Sequence, residues 1–545
     1  MKTRLLGVLG LVICLAACNS GKQKETESSE EGDKIVLQQD TSENYTFDTS
    51  VSNENGSMSY EIFVRSFYDT NGDGIGDLKG VEEKIPYLAD LGIKTIWLMP
   101  ICPSPSYHGY DISDYYNVNR EYGTLDDFDD LVATAKTYHI DIMIDMVLNH
   151  SSTYCQWFID SYNDAINGNT GEDSKADWYC WSETSSGGYH KYRDLWVESN
   201  FSNTMPEFNY ESEGFKKELD NVFKFWIEEH GVKGFRLDAV LYFYYLNHIK
   251  NVEVLTMLED IAHKYDPDFY MVGECWQSSN IVLRYYDSKC DSFFAFNGSV
   301  GTAGETETSM ITMAKGSLKA DTFLRNTQSY EKKVHQKNEN GYSSYFLANH
   351  DTDRASYYLT DVNAKVAASI LTLMPGTPFM YYGEEIELKG VRQDGDNSDA
   401  RRRLPMIWSK ENKTGECSFP ERNRQDLKNN DQVELGVNDQ LATNFSLVNH
   451  YKKLINVRNK YPVFKHGIFT SLYDELELTD DGILAYKITE GNESITIITN
   501  VNNYNVELNV GAELTLADTI NTSHQIPELN DGVLKLGSKS TVILK

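Results

Sequence analysis

GFRLDAV, residues 234–240, reads as a short buried β-strand. Side chains alternate along a strand, so Phe235 and Leu237 share one face while Arg236 and Asp238 share the other. A carboxylate and a guanidinium two residues apart on one face sit side by side. Such a pairing favours the ionised acid and fixes its orientation. With Phe, Leu, Ala and Val around it, an unpaired charge here would be costly. Taken alone, the stretch fits a structural salt bridge as well as a reactive carboxylate, because both perturb titration.

Outward from this strand, the chain alternates strand-like and helix-like runs. Strands are expected at 60–67 (YEIFVRSF), 95–100, 140–147, 234–240, 269–274, 292–296, 343–350 (SSYFLANH) and 378–385 (PFMYYGEE). Helical spacing falls between them, as in Leu219, Val222, Phe223 and Trp226, and again in Val366, Ile370 and Leu373. Eight strands separated by helices predict a (β/α)8 TIM barrel. The rhythm breaks at 151–209, rich in Asn, Ser, Gly, Asp, Tyr and Trp, which reads as an inserted subdomain after the third strand. The barrel is therefore expected over 57–150 and 210–408. From 409 to 545, runs such as GILAYKIT and SITIITNV predict a C-terminal antiparallel β-sandwich domain.

At 545 residues, the chain has room for two or three domains, and 40% hydrophobic content supplies their cores. Tyr occurs 35 times, a surplus that suggests exposed aromatic platforms for flat ligands such as sugar rings. A formal net charge of −32 argues against nucleic-acid partners and against attraction to anionic lipid. Lys2 and Arg4 precede a short apolar run and then Ala16-Ala17-Cys18, the pattern of an export signal over 1–18. Residues 19–56 are charged, Ser-rich and nearly free of apolar residues at their start, which reads as a disordered acidic tether. Export permits disulfides. Cys155 and Cys180 lie in one segment and could pair, and no cysteine pattern of a zinc site is present.

Three acids are expected at the carboxyl ends of barrel strands: Asp238, Glu274 and Asp351. In this fold all strand ends open into one mouth, so residues distant in sequence converge there. Two carboxyl groups about 5 Å apart across a sugar bond are the machinery of retaining glycoside hydrolysis. Glu274, beside Val272 and Trp276 in VGECW, is expected to be desolvated and held protonated. A second constellation lies in DTNGDGIGD, residues 69–77. Asp69, Asn71, Asp73, Asp77 and the Ile75 carbonyl alternate with glycines, as a calcium loop requires. The loop resembles the start of an EF-hand, but Gly80 stands where that motif has its glutamate, and a plain Asp/Asn-rich turn is the alternative.

Seven motifs in order, YHGYD (107–111), DMVLNH (145–150), MPEFN (205–209), GFRLDAV, GECW (273–276), LANHD (347–351) and GTPFMYYGEE (376–385), resemble those of the α-amylase family of retaining glycoside hydrolases. The resemblance runs from about Tyr60 through Trp408. It implies Asp238 as nucleophile, Glu274 as general acid/base and Asp351 as transition-state stabiliser. Tyr110 would stack under the sugar, His150 and His350 would bond its hydroxyls, and Arg236 would orient the nucleophile. Asp111 would shape the same pocket and Trp276 would bind substrate. Asn149 would support the junction with the insertion, in some relatives through calcium, and a structural calcium is implied at the 69–77 loop. The substrate implied is an α-1,4-glucan (starch, glycogen or maltodextrin) attacked within the chain. An exo-acting glucosidase or transglycosylase on short maltooligosaccharides is the alternative. A non-catalytic starch-binding lipoprotein is a third reading, which three intact acids disfavour. Ala239 and Trp276 resemble the amylase and neopullulanase-like branch. Leu241-Tyr242 departs from the Lys-His of many α-amylases on the leaving-group side. LAAC also resembles the bacterial lipobox, which implies a lipid anchor on Cys18 and an extracytoplasmic, membrane-held protein.

Overall fold

The computed structural model describes residues 56–299, 309–392, 394, 397–418, 432–522 and 525–545. The export signal, Cys18 and the tether as far as residue 55 lie outside these. Strands are numbered in chain order. β1 (Ser59–Ile62), β2 (Thr95–Leu98) and β3 (Asp141–Met146) are followed by three strands of the insertion, β4 (Trp181–Ser182), β5 (Tyr189–Tyr192) and β6 (Leu195–Glu198). The barrel resumes with β7 (Gly234–Leu237), β8 (Tyr270–Gly273), β9 (Ser292–Phe294), β10 (Tyr342–Ser344) and β11 (Phe379–Tyr381).

The eight barrel strands pair in the order β10-β9-β8-β7-β3-β2-β1-β11, every pair parallel. A parallel bridge between Phe346 and Phe379 closes the ring. Residues on one strand face alternate inward, and the interior is packed by Trp97, Met143, Val272, Phe294, Phe346 and Phe379. Phe235 points the other way, edge-on to Phe223 and Phe269 of the outer layer. The (β/α)8 expectation therefore holds.

Three elements differ from the reading above. The strands are shorter than their apolar runs. YEIFVRSF leaves the ladder after Ile62 and turns into a 3-10 helix at Val64–Ser66. The β10 ladder ends at Ser344, and SSYFLANH pairs beyond it only in the isolated Phe346–Phe379 bridge, so Asp351 sits on the loop beyond β10 rather than at its end. Buried loops carry the same apolar composition as strands, which is why the runs overshoot. The segment from 409 is also not all β. It carries helices Val437–Leu441 and Leu447–Asn459, and the second buries Leu447, Val448, Tyr451, Leu454 and Ile455 in the barrel's core. Finally, Cys155 and Cys180 are both free thiols, with Cys155 buried.

The β domain begins at β12 (Ile468–Ser471) and continues through β13 (Ile483–Glu490), β14 (Glu493–Asn500), β15 (Val506–Asn509), β16 (Leu516–Ile520), β17 (Glu528–Asn530), β18 (Val533–Leu536) and β19 (Thr541–Leu544). A five-stranded and a three-stranded antiparallel sheet share one apolar core that includes Ile498, Leu534, Leu536 and Val542. That is a sandwich. The insertion holds a helix at Gln156–Asn167 against its three-stranded sheet, with Phe158 stacked on Trp181 at 5.2 Å. Among the described residues, no helix is long and apolar enough to cross a membrane.

Candidate active site

Arg236 is 1% exposed and sits inside the barrel with its guanidinium 5.4 Å from the Trp97 ring. Parallel register sets it beside Asp145 of the neighbouring strand β3. Its Nη1 donates to Asp145 Oδ1 at 2.9 Å and to Asp238 Oδ1 at 2.7 Å, and its Nη2 lies 3.2 Å from Glu274 Oε2. One cation thus holds three carboxyl groups from three adjacent strands or strand ends. The side-by-side pairing of Arg236 and Asp238 follows from strand alternation. Asp145 is the partner that the sequence reading omitted. Its signal was an acid inside the otherwise apolar run IDIMIDMV, which must find a cation if buried.

After Asp238 the chain turns sharply. Ala239 adopts φ +51°, a left-handed conformation that costs a non-glycine residue about 1 kcal/mol. The turn aims the Ala239 N–H at Glu274 Oε2, 3.0 Å away. Oε2 of Glu274 therefore accepts the Ala239 N–H and is ion-paired with Arg236. Burial pushes its carboxyl up to about 8, reinforced by Asp238 and Asp351 and opposed by Arg236.

Asp351 is placed by its neighbours. His350 Nε2 lies 2.9 Å from Asp351 Oδ2, and Arg403 Nη2 donates to Asp351 Oδ1 at 2.9 Å. Burial alone would raise this carboxyl. His350, Arg403 and Arg236 together hold it well below the usual carboxylate range. His350 in turn bonds Glu61 Oε1 through Nδ1 at 2.5 Å. Burial would lower its pKa, but Asp351 and Glu61 push it up to about 9, so at neutral pH the ring is an imidazolium. Tyr110 completes the network. Its hydroxyl donates to Asp145 Oδ2 at 2.9 Å, lies 2.7 Å from His350 Nε2, and its ring stacks on His350 at 5.5 Å.

Asp238, Glu274, Asp351, Tyr110, His150 and Trp276 line one cleft of about 710 Å³, together with Tyr107, His108, Phe201, Tyr242 and Arg403. Trp276 is stacked on Phe296 at 4.8 Å and 40% exposed. His150 lies 3.1 Å through Nε2 from the Tyr110 carbonyl and 3.2 Å through Nδ1 from the Asn149 amide; burial lowers its pKa. Asp111 is buried and accepts from Ser104 Oγ at 2.5 Å; it is not itself part of the cleft wall, but its charge opposes the burial that lowers the cleft-lining His108 to about 4. Arg403 and Glu61 were not anticipated. Glu61 carried the same signal as Asp145, an acid in an apolar strand, whereas Arg403 lies in an RRR run that reads as solvated charge.

In the 69–77 loop, the candidate donors organise the backbone. Asp69 accepts from the N–H groups of Asn71, Gly72 and Gly74; Asp73 accepts from Ile75; Asp77 caps helix Leu78–Glu83 and accepts from Thr70. Gly72 and Gly74, at φ +80° and +88°, supply the tight turns. Among the described residues, no group of three or more His, Cys, Asp or Glu side chains forms a metal cluster by itself. At the insertion junction, Asn149 Oδ1 is buried without a hydrogen-bond partner. Nearby Glu207 is pushed up to about 7 by burial.

An eight-stranded parallel barrel whose mouth gathers carboxyl groups around one arginine defines a carboxylate-based hydrolase. The comparisons specify which. The alpha amylase catalytic-domain family matches residues 61–467. Alpha-amylase 3 of Dictyoglomus thermophilum is 32% identical over 499 residues, covering 89% of this chain and 92% of that protein. An oligo-1,6-glucosidase of Bacillus cereus is 28% identical over 524 residues, covering 82% and 90%. The solved structure of Eubacterium rectale Amy13B superposes with a TM-score of 0.83 at 33% identity, covering 91% of this chain and 97% of that one. The chain belongs to the α-amylase family of glycoside hydrolases, and it is an enzyme of that family.

Proposed function

We propose that this enzyme cleaves α-1,4-glucosidic bonds within starch, glycogen or maltodextrin chains, with retention of configuration. The observation that carries this reading is the sharing of Arg236 by Asp238 and Glu274 in one open cleft, with Glu274 pushed up to about 8. Asp238 attacks the anomeric carbon as the bond to the leaving oxygen breaks. Glu274 gives that oxygen its proton. Because Oε2 accepts from the Ala239 N–H and faces the Arg236 cation, the proton resides on Oε1. In the second half, Glu274 takes a proton from water, which displaces the Asp238 ester and releases the sugar with its original configuration. Asp351, held ionised between His350 and Arg403, grips ring hydroxyls and favours the distorted sugar.

The aromatic run beyond the reacting acids favours attack within long chains. Phe201 and Tyr242 line the cleft with ring centroids 4.4 Å apart, and Tyr242 stacks on Tyr245 at 5.8 Å. Tyr242 follows three residues after Ala239, whose N–H meets Glu274, and it lines the same cleft as that acid, which supports a role for this run in holding the leaving chain. Product analysis on amylose, pullulan and maltotriose tests the reading. Early mixed oligomers from amylose are expected, whereas glucose released alone from chain ends would favour the exo-acting alternative.

Two further assignments belong to this proposal. The 69–77 loop offers three carboxylates, an amide and a carbonyl oxygen on a glycine-turned backbone, a donor set that fits calcium. Asp69, Asn71, Asp73, Asp77 and Ile75 would hold the ion, which supplies charge neutralisation and stiffness rather than chemistry. Asn149, with its buried unpartnered oxygen, would be a donor at the insertion junction. Cys18 would carry a lipid that holds the enzyme on an extracytoplasmic membrane face. Cys18→Ser is expected to move the protein from the membrane fraction to the soluble fraction without loss of activity. An unchanged partition would reject the anchor.

A further inference from the structure

We propose that the enzyme carries a second α-glucan-binding groove, separate from the catalytic cleft, between the loop that follows β2 and the start of the insertion. The proposal rests on the α-glucan reading above for the class of its ligand. The groove encloses about 580 Å³. Its lining includes Tyr154, Pro103, Pro105, Asn117 and Arg120.

Tyr154 is the first reason. It is 70% exposed, more than any other large aromatic side chain among the described residues. A ring left in water without a partner is a platform awaiting a flat apolar face. Its position is nonetheless fixed. The Tyr154 N–H donates to Ser152 Oγ at 3.2 Å, the Ser152 N–H to the Ile112 carbonyl at 2.8 Å, and the Thr153 N–H to the Thr204 carbonyl at 3.1 Å. The ring is thus tied at its base to the loop it overhangs.

Charge is the second reason. In a chain of net charge −32, the groove's lining contains no carboxylate among the described residues and does contain Arg120. Asn117 uses its side-chain oxygen on the Val118 N–H, 3.0 Å away, which turns its NH2 to other acceptors. Prolines and a tyrosine beside uncharged or cationic donors suit a neutral ring with hydroxyl acceptors on its rim and C–H groups on its face. That is a sugar chain.

Position is the third reason. The short stretch from Pro103 to Tyr110 walls both spaces. Tyr107, His108 and Tyr110 line the cleft, while Pro103 and Pro105 line the groove. Ser104 of the groove wall donates to Asp111, the residue that follows Tyr110 of the cleft. A chain held in the groove is therefore kept beside the catalytic mouth.

The test uses full-length protein in the Glu274→Gln background, so that amylose survives the measurement. Retardation in gels containing amylose gives an apparent Kd. Adding Tyr154→Ala is expected to weaken it about five- to tenfold, the loss of one stacked ring. Arg120→Ala is expected to weaken it in the same direction, and Tyr154→Phe to leave it unchanged. With Glu274 restored, Tyr154→Ala should hydrolyse a short chromogenic maltoside at the wild-type rate, because that substrate fills only the cleft. Unchanged retardation in both alanine variants would overturn the groove, as would an equal loss on the short maltoside. The two readings separate cleanly. An enzyme that cleaves amylose without Tyr154-dependent retention lacks the groove but keeps its proposed function. One that retains amylose through Tyr154 yet cleaves no α-glucan keeps the groove and loses that function.

Discussion

Arg236 faces Asp145, Asp238 and Glu274 at once, and all but a trace of it is buried. Removing a cation from such a site leaves charge buried without compensation, which costs about 3–5 kcal/mol. Arg236→Ala is therefore expected to lower the free energy of unfolding by that amount and to reduce turnover. Because Asp145 is the most buried of the three partners, Asp145→Asn in the Arg236→Ala background should return part of the stability but none of the activity. A double-mutant cycle with no coupling between the two positions would reject this account. Glu274 gives a kinetic prediction. In the proposed mechanism it must be protonated to act as the acid, and burial, with Asp238 and Asp351 adding to it, raises it to about 8. The kcat/KM profile should fall on the alkaline side with a midpoint near pH 8; a fall centred near an ordinary glutamate value would count against the assignment. At this scale the sequence was legible where the rule is local. Alternation on one strand set Arg236 beside Asp238. Asp145 needed the knowledge that β3 is the neighbour of β7, and Arg403 arrives from a loop whose sequence resembles solvated surface.

At the scale of elements, the sequence located every barrel strand but misjudged where each one stops. Phe63, Leu347 and Ala348 are as buried as the strand residues before them, so hydrophobicity continues after the ladder has ended. The helix Leu447–Asn459 was hidden by its Asn, Lys and Arg content, although Leu447, Tyr451, Leu454 and Arg458 keep helical spacing. Arg458 shows why a charged residue belongs there. It is fully buried and its Nη1 donates to the Thr372 and Met374 carbonyls at 2.7 and 2.6 Å, which locks the last barrel helix to the chain before β11. The 69–77 loop is the element with a prediction of its own. It packs on 415–418, the Asp69 N–H donating to the Gly415 carbonyl and the Ser418 N–H to that of Gly74. An ion that stiffens the loop therefore also stabilises this crossing. Chelation should lower Tm, calcium should restore it, and Asp69→Ala should abolish the response. Identical melting with and without chelator would reject the site.

Over the whole molecule, the burial of acids makes a prediction that no single residue does. Asp145 is pushed up to about 7, Glu207 and Glu331 to about 7, and Glu274 and Glu384 to about 8, with burial the largest cause in each case. Each folded-state value lies above that of an unfolded carboxyl, near 4. The folded chain therefore holds more protons than the unfolded chain between about pH 4 and 8, and stability falls as pH rises through that window. His350 acts in the same sense. Raised to about 9, it contributes fully below its ordinary value and loses its contribution as pH climbs through 9. Asp351 acts in the opposite sense. Held far down by His350 and Arg403, it loses its contribution only in strong acid. Surface repulsion at a net charge of −32 grows with pH as well, so it adds to the alkaline loss. Tm is accordingly expected to be higher at about pH 6 than at about pH 8.5, with proton release on unfolding measurable between them. Glu384→Gln, which removes one raised carboxyl outside the cleft lining while keeping an acceptor for the Tyr451 hydroxyl at 2.6 Å, should flatten that slope without moving the alkaline limb of kcat/KM. A Tm that rises from pH 6 to 8.5 would reject the net proton uptake on folding that these raised carboxyls imply.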